Sequence, residues 1–246
     1  MEEASGAPSP AAPPRLYVCT HHRCGTVLLR NIFTRYTKFA DARFFKGNPK
    51  DAPAEAGIVQ DAHSRSPIAK AGAGLHIFRD PFDLLLSHIR YHETTRSPTE
   101  PPNAFILDDG RTYGEHLREQ PTLSDKALFE IDHVFGRTLK SMVAWDYANP
   151  AFKNYPLDIF LDADNAAPVA AELAHAFPVL DRETLTGAIR HFIVNAPHIR
   201  AKHGTRTEGE RAVELFSPAV VERVHAEFPG VADVQQRLAA ALTPRS

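Results

Sequence analysis

The segment Leu16-Tyr17-Val18-Cys19-Thr20-His21-His22-Arg23-Cys24-Gly25-Thr26-Val27-Leu28-Leu29 changes its periodicity halfway along. Leu16 to Thr20 is a short apolar run rich in β-formers, and it reads as a buried strand. His21 to Thr26 is a polar loop containing a glycine. Beyond it Leu28, Leu29, Ile32, Phe33 and Tyr36 recur at three- and four-residue spacing, which puts them on one face of a helix. The chain therefore begins its order as strand, short glycine-containing loop and helix.

Working outward, Gly57-Ile58-Val59-Gln60-Asp61 reads as a second strand that ends near His63, and Leu75-His76-Ile77-Phe78 as a third. The third runs straight into Arg79-Asp80-Pro81-Phe82-Asp83. Asp80 suits a helix N-cap, Pro81 the first helical position, and Asp83 the positive end of the dipole. That helix is expected to reach about Tyr91. Residues Arg96 to Pro121 are rich in Pro, Asp and Gly and read as a long excursion with at most short helices. Helical spacing returns from Lys126 to Tyr147. Leu157-Asp158-Ile159-Phe160-Leu161-Asp162 reads as a fourth strand. Pro168 to Phe177, Asp181 to Asn195 and Pro218 to Leu242 read as helices, the last with Ser217 as N-cap and a break near Pro229-Gly230. Short strands alternating with helices predict an α/β fold, a central parallel sheet flanked by helices on both faces.

Composition excludes several other classes. The 246 residues suit a single domain, expected here over 15–246, because domains run to about 50–250 residues. A hydrophobic fraction of 43% with 24% charged residues excludes wholesale disorder, collagen and coiled coil. A net charge of −2 argues against a broadly basic nucleic-acid binder, while leaving room for a local anion site. Residues 1–14 carry Pro8, Pro10, Pro13 and Pro14 and lack basic and apolar signal regions, so a loose tail is expected there. No run approaches about 18 apolar residues, and no membrane span is expected. Cys19 and Cys24 are too few for a disulfide framework or a cysteine zinc site, which favours a reducing cytoplasm.

In a parallel sheet, ligands bind beyond the carboxyl ends of the strands. The first loop lies there. Backbone N–H groups at the start of its helix and the Thr26 hydroxyl are suited to a phosphate, Gly25 permits close approach, and Arg23 adds a permanent charge. The loop lacks the G-x-x-x-x-G-K-[ST] spacing of a P-loop kinase. Arg79 follows the third strand, and Ser87, eight residues later, is placed to face the same crevice. Read without other context, the loop is equally an ordinary strand-to-helix turn, and Arg79 with Ser87 a salt-bridged arginine and a solvent-facing serine.

Cys19-Thr20-His21-His22-Arg23-Cys24-Gly25-Thr26, paired with Arg79-Asp80-Pro81-Phe82-Asp83-Leu84-Leu85-Leu86-Ser87, resembles the two nucleotide motifs of sulfotransferases dependent on 3′-phosphoadenosine 5′-phosphosulfate. In that family the first loop, often T-Y-P-K-S-G-T-T-W, binds the 5′-phosphosulfate. The R-D-P-x-D-x-x-x-S element binds the 3′-phosphate. The resemblance implies a fold of the sulfotransferase branch of the P-loop-like proteins. It places Arg23 where the family has a lysine, and Cys24, Gly25, Thr26 and Val27 along the phosphate loop, Val27 offering only its N–H. Arg79 and Ser87 match the 3′-phosphate ligands. Ile58-Val59-Gln60-Asp61-Ala62-His63 is similar to the strand that ends in the family's catalytic histidine. The residues alone rank His63 no higher than His76, His88 or His92. Near the C-terminus the family's R-K-G-x-x-G-D-W-K lid has an imperfect counterpart around Lys202, Gly204 and Arg206, which lacks the tryptophan; Trp145 reads as core.

The resemblance implies transfer of a sulfuryl group from that donor to a hydroxyl, or an amine, of a small-molecule or carbohydrate acceptor. His63 would be the base and Arg23 would stabilise the departing phosphate. The scheme requires no metal, and no metal-ligand spacing is read in the chain. No nucleic-acid or membrane partner is expected, and the sequence gives no oligomeric state. The competing expectations are an ATP-dependent small-molecule kinase of a related fold and a non-catalytic nucleotide-binding member of the family.

Overall fold

The structure is a computed structural model, and it describes residues 15–98, 100–195 and 211–242. Five strands, β1 (Leu16–Cys19), β2 (Phe44–Lys46), β3 (Ile58–Asp61), β4 (Ala73–Phe78) and β5 (Phe152–Pro156), form one sheet in the order β2-β3-β1-β4-β5. Every pairing is parallel. The helices are α1 (Thr26–Tyr36), α2 (Pro67–Lys70), α3 (Pro81–Thr94), α4 (Pro101–Ala104), α5 (Tyr113–Glu119), α6 (Leu123–Glu130), α7 (Gly136–Val143), α8 (Ala166–Ala176) and α9 (Arg182–Asn195). A π turn over Ile131–Phe135 joins α6 to α7. Two further helices, Pro218–Glu227 and Val231–Leu242, follow. None is long and apolar enough to cross a membrane.

Side-chain alternation explains how the sheet is covered. Leu16 and Val18 of β1, Ile58 of β3 and Leu75 and Ile77 of β4 point into a large core with the apolar stripe of α1. Tyr17, Cys19 and Val59 point the other way, into a smaller cluster with Ala69 of α2, Trp145 and Phe152. Both faces are therefore dry, which is why these strands read as near-continuous apolar runs. Gly74 lets β4 lie against β1, because a Cβ there would sit 1.9 Å from the Tyr17 carbonyl oxygen. In α1, Leu28, Leu29, Ile32, Phe33 and Tyr36 are all buried, as their spacing requires.

The expected elements hold at β1, β3, β4, α1 and α3, and the excursion after Arg96 holds only the short α4 and α5. One expectation fails. Leu157 to Leu161 is a 3₁₀ helix, and the strand is the preceding Phe152–Pro156. Pro156 ends the pairing with β4, and the apolar run then buries Leu157 and Phe160, three apart as a 3₁₀ turn dictates. β2, three residues at the sheet edge, has no counterpart in the sequence reading. Ser217 precedes the helix Pro218–Glu227 as expected, but its side chain makes no capping bond. Cys19 and Cys24 are free and buried. The expected tail over 1–14 lies outside the described residues.

Candidate functional site

The carboxyl ends of β1, β3 and β4 open on one cavity of about 420 Å³. Its lining comes from the segments that leave the strands: His22, Arg23, Gly25 and Thr26 after β1, Ala62 and His63 after β3, Arg79 after β4, and Leu157 and Leu161 after β5. Val27, Leu28 and Arg30 of α1 and Tyr91 of α3 complete it. Arg23, Arg30 and Arg79 face this space, and among the described residues no Asp or Glu lines it. The chain thus gathers positive charge at the place where a parallel sheet binds ligands.

The loop that enters α1 is bent by two left-handed residues, Arg23 at φ 61° and Gly25 at φ 75°. A Cβ on Gly25 would lie 2.6 Å from Leu157 Cδ1, so glycine serves both the turn and the packing. α1 begins without a side-chain cap and without an acidic residue in its first turn. In contrast, α3, α5 and α6 are capped by Asp80, Thr112 and Thr122. The first N–H groups of α1 have no helical partner of their own and carry the positive end of the dipole. An anion would supply there what a capping side chain supplies to α3, α5 and α6.

Most residues expected at the donor site lie in the described part of the chain. Arg23 reaches across to α3, its Nε 3.4 Å from Ser87 Oγ and its guanidinium 4.4 Å above the Tyr91 ring. Arg79 is 6% exposed and directs Nη1 to the Arg23 carbonyl at 3.5 Å. Burial first, and then the neighbouring Arg79 charge, lower the Arg23 pKa, while Tyr91 opposes this. An anion between these arginines would relieve both costs. The loop and the arginine-serine element therefore meet in space. Val27 stands exposed at the first turn of α1. The Thr26 hydroxyl lies 3.0 Å from the His21 carbonyl, to which it donates, and 2.9 Å from Thr20 Oγ1, so its free contribution is its N–H. Cys24 is placed otherwise. Its N–H donates to the His21 carbonyl at 2.9 Å, and its thiol, pushed up to about 12 by burial, points at the Ile77 carbonyl. Lys202, Gly204 and Arg206 lie outside the described residues.

His63 leaves β3 on a turn held by Asp61, whose carboxylate accepts from the His63 and Ser66 N–H groups at 3.3 and 2.8 Å. Burial first, and then Arg65, lower the His63 pKa below the usual value of 6.5, against the attraction of Asp61. Neutral imidazole, the form able to take a proton, is thereby favoured near neutrality. His63 also lines a second cavity of about 400 Å³, with His22, Arg65, His92, Phe105, Tyr113, His133 and Arg137. The two cavities share His22 and His63.

Trp145 is core, stacked on His76 with ring centroids 4.0 Å apart and donating to Asn154 at 3.0 Å. His76 in turn shares a 2.9 Å contact with His21 beneath the loop. His22 also meets His88 and His92 of α3 in a cluster that the motifs of the sequence do not include. The pair of histidines four apart on one helix was the signal that could have found it.

No protein-family model matches this chain, and no match is found among curated proteins. Among solved structures it is similar to the crystal structure of mouse sulfotransferase SULT7A1 complexed with PAP, over 92% of this chain and 87% of that one, with a TM-score of 0.60 and 14% identity. At that identity the likeness is one of architecture: the chain has the sulfotransferase fold.

Proposed function

We propose that the protein is a sulfotransferase that takes its sulfuryl group from 3′-phosphoadenosine 5′-phosphosulfate. The observation that carries this reading is the cavity at the strand ends, where an uncapped helix start shares the lining with three arginines and, among the described residues, with no carboxylate. The meeting of Arg23 with Ser87 and Arg79 supports it, because it brings the two donor motifs of the sequence to one place. That the similar mouse enzyme was solved with PAP adds to this support.

In this reading Arg79 and Ser87 hold the 3′-phosphate. The N–H groups of Thr26 and Val27 hold the 5′-phosphate, and Arg23 neutralises the charge that grows on it as the sulfur–oxygen bond breaks. An acceptor hydroxyl attacks sulfur in line and gives its proton to His63. The products are the sulfated acceptor and the 3′,5′-bisphosphate. The acceptor, a small molecule or carbohydrate, occupies the second cavity, which His63 shares with the donor space. Arg65 and Arg137 in that cavity favour an acceptor that carries an acidic group.

Calorimetry tests the donor. Adenosine 3′,5′-bisphosphate is expected to bind and Mg-ATP to bind much more weakly; a preference for Mg-ATP would reverse the reading in favour of a kinase. His63→Ala is expected to lower the rate of sulfation on the order of 10²- to 10⁴-fold with bisphosphate affinity retained. Turnover equal to the parent would remove His63 from the mechanism.

A further inference from the structure

His22 on the loop after β1 and the pair His88 and His92 on α3 each place one ring nitrogen within 4.8 Å of those of the other two. The rings pack closely: His22 lies 4.8 Å from His88 and 5.5 Å from His92 between centroids, and His88 lies 5.3 Å from His92. Behind them stands Glu130 of α6, fully buried. Its carboxylate is 2.5 Å from His92 Nδ1 and 3.7 Å from His88 Nδ1. With both Nδ1 atoms turned to Glu130, the Nε2 atoms of His88 and His92 are left for another partner. Among the described residues His88 Nε2 has only the His22 carbonyl, at 3.3 Å, a contact that it would give up to an ion. His22 Nε2 is buried and, among the described residues, has no hydrogen-bond partner.

Two facts of this cluster favour a cation. A buried carboxylate costs several kcal/mol unless its charge is balanced, and among the described residues the ion-pair partners of Glu130 are His92 and His88, which balance it only when one of them carries an extra proton in a dry interior. An orphaned imidazole nitrogen loses its water without compensation. One ion held between the three Nε2 atoms answers both, while Glu130 fixes the tautomer and orientation of two of the rings, as carboxylates behind metal-bound histidines do.

We propose that His22, His88 and His92 form a binding site for a divalent transition metal of the zinc class, with Glu130 orienting His88 and His92 behind it. All three ligands are nitrogens, which selects against magnesium and calcium. Zinc bonds to nitrogen at about 2.0–2.1 Å, so the nitrogens close to about 3.3 Å from one another, an inward movement on the order of 1 Å for rings now within 4.8 Å. His22 and His92 line the second cavity, and the fourth coordination position opens there, to solvent or to an oxygen of the occupant. The ion pins the residue beside Arg23 to the helix that carries Ser87, and so ties together the two halves of the donor site. The sulfuryl transfer proposed above calls for no metal, and the site stands without that reading.

The full chain is stripped with EDTA and dialysed, then titrated with Zn²⁺ by calorimetry and with Co²⁺ by visible absorption. One ion per chain and the strong absorption of four- or five-coordinate Co²⁺ are expected. His22→Asn removes a ligand without touching Glu130. It is expected to weaken Zn²⁺ binding at least 100-fold and to abolish the Co²⁺ band, while unfolding in EDTA stays as in the parent. Glu130→Gln is expected to cost on the order of 10- to 100-fold in affinity. Absence of stoichiometric binding in the parent overturns the proposal. So does binding by His22→Asn at parental affinity, which would place the ion on other histidines. Bisphosphate titration of the stripped protein reads the donor site separately.

Discussion

At the residue scale, Gly25 carries two duties that no other residue type can combine. A side chain at φ 75° costs about 1–2 kcal/mol, and the added Cβ meets Leu157. Gly25→Ala is expected to lower stability in urea by about that amount and to weaken bisphosphate binding together with it; retention of both would show that the loop bends elsewhere. His63 gives a prediction of opposite sign to most acidic limbs. Its pKa is lowered by burial and then by Arg65, so the protonated form is disfavoured, and with His63 as the proposed base activity is expected to persist below pH 6.5. Arg65→Gln removes one lowering cause, and the acid limb of kcat/KM is expected to move to higher pH. A limb that stays in place, or moves to lower pH, would mean that the titrating base is another group. Arg23, Gly25, Arg79 and Ser87 were legible because each motif is local in sequence. The meeting of His22, His88, His92 and Glu130 was not, because it brings a loop, α3 and α6 together through tertiary packing.

At the element scale, α3 does the most to build the site, since one helix carries Ser87, His88, Tyr91 and His92. Its start was legible: Asp80 Oδ1 accepts from the Phe82 and Asp83 N–H groups at 2.9 and 3.1 Å, and Pro81 takes the first helical position. Asp80→Ala is expected to cost about 1 kcal/mol of stability. A shift in the urea midpoint without a change in slope checks this, and an unchanged midpoint would sink it. The strands divide by burial. β1, β3 and β4 lie inside the sheet and read as apolar runs, whereas β5 carries Lys153 and Asn154 and lacks the apolar run that marks a buried strand. Asn154 is polar because it serves the interior, bonding His76 and Trp145. The apolar run after it was mistaken for the strand because Leu157 and Phe160 are core residues at 3₁₀ spacing, and composition cannot tell the two apart.

At the scale of the whole molecule, a net charge of −2 conceals an uneven distribution. Three arginines converge on the cavity at the strand ends, and four histidines are buried, His21 and His76 forming a Nε2-to-Nε2 contact of 2.9 Å beneath the loop. Burial first, and then nearby cations, push the His21 pKa down to about 3, and burial with His21 holds His76 well below 6.5. Both folded values lie below the unfolded value, so the folded chain binds fewer protons. The stability they contribute is complete above pH 6.5 and is lost as the pH falls from there toward the folded values. Each group that is protonated only on unfolding contributes a slope of about 1.4 kcal/mol per pH unit. Two such groups remove about 3 kcal/mol per unit, a large share of the roughly 5–15 kcal/mol that holds a domain together. With EDTA present, the urea midpoint is therefore expected to stay flat from pH 8 to 7 and to fall steeply from pH 6.5 to 5, before ordinary carboxylates titrate. His76→Gln keeps a polar side chain facing Asn154 and removes one proton site, so its slope is expected to be shallower by about one proton. A midpoint independent of pH over that window, in the parent chain, would mean that these imidazoles reach water in the folded state, against the packing of His76 between Trp145 and His21.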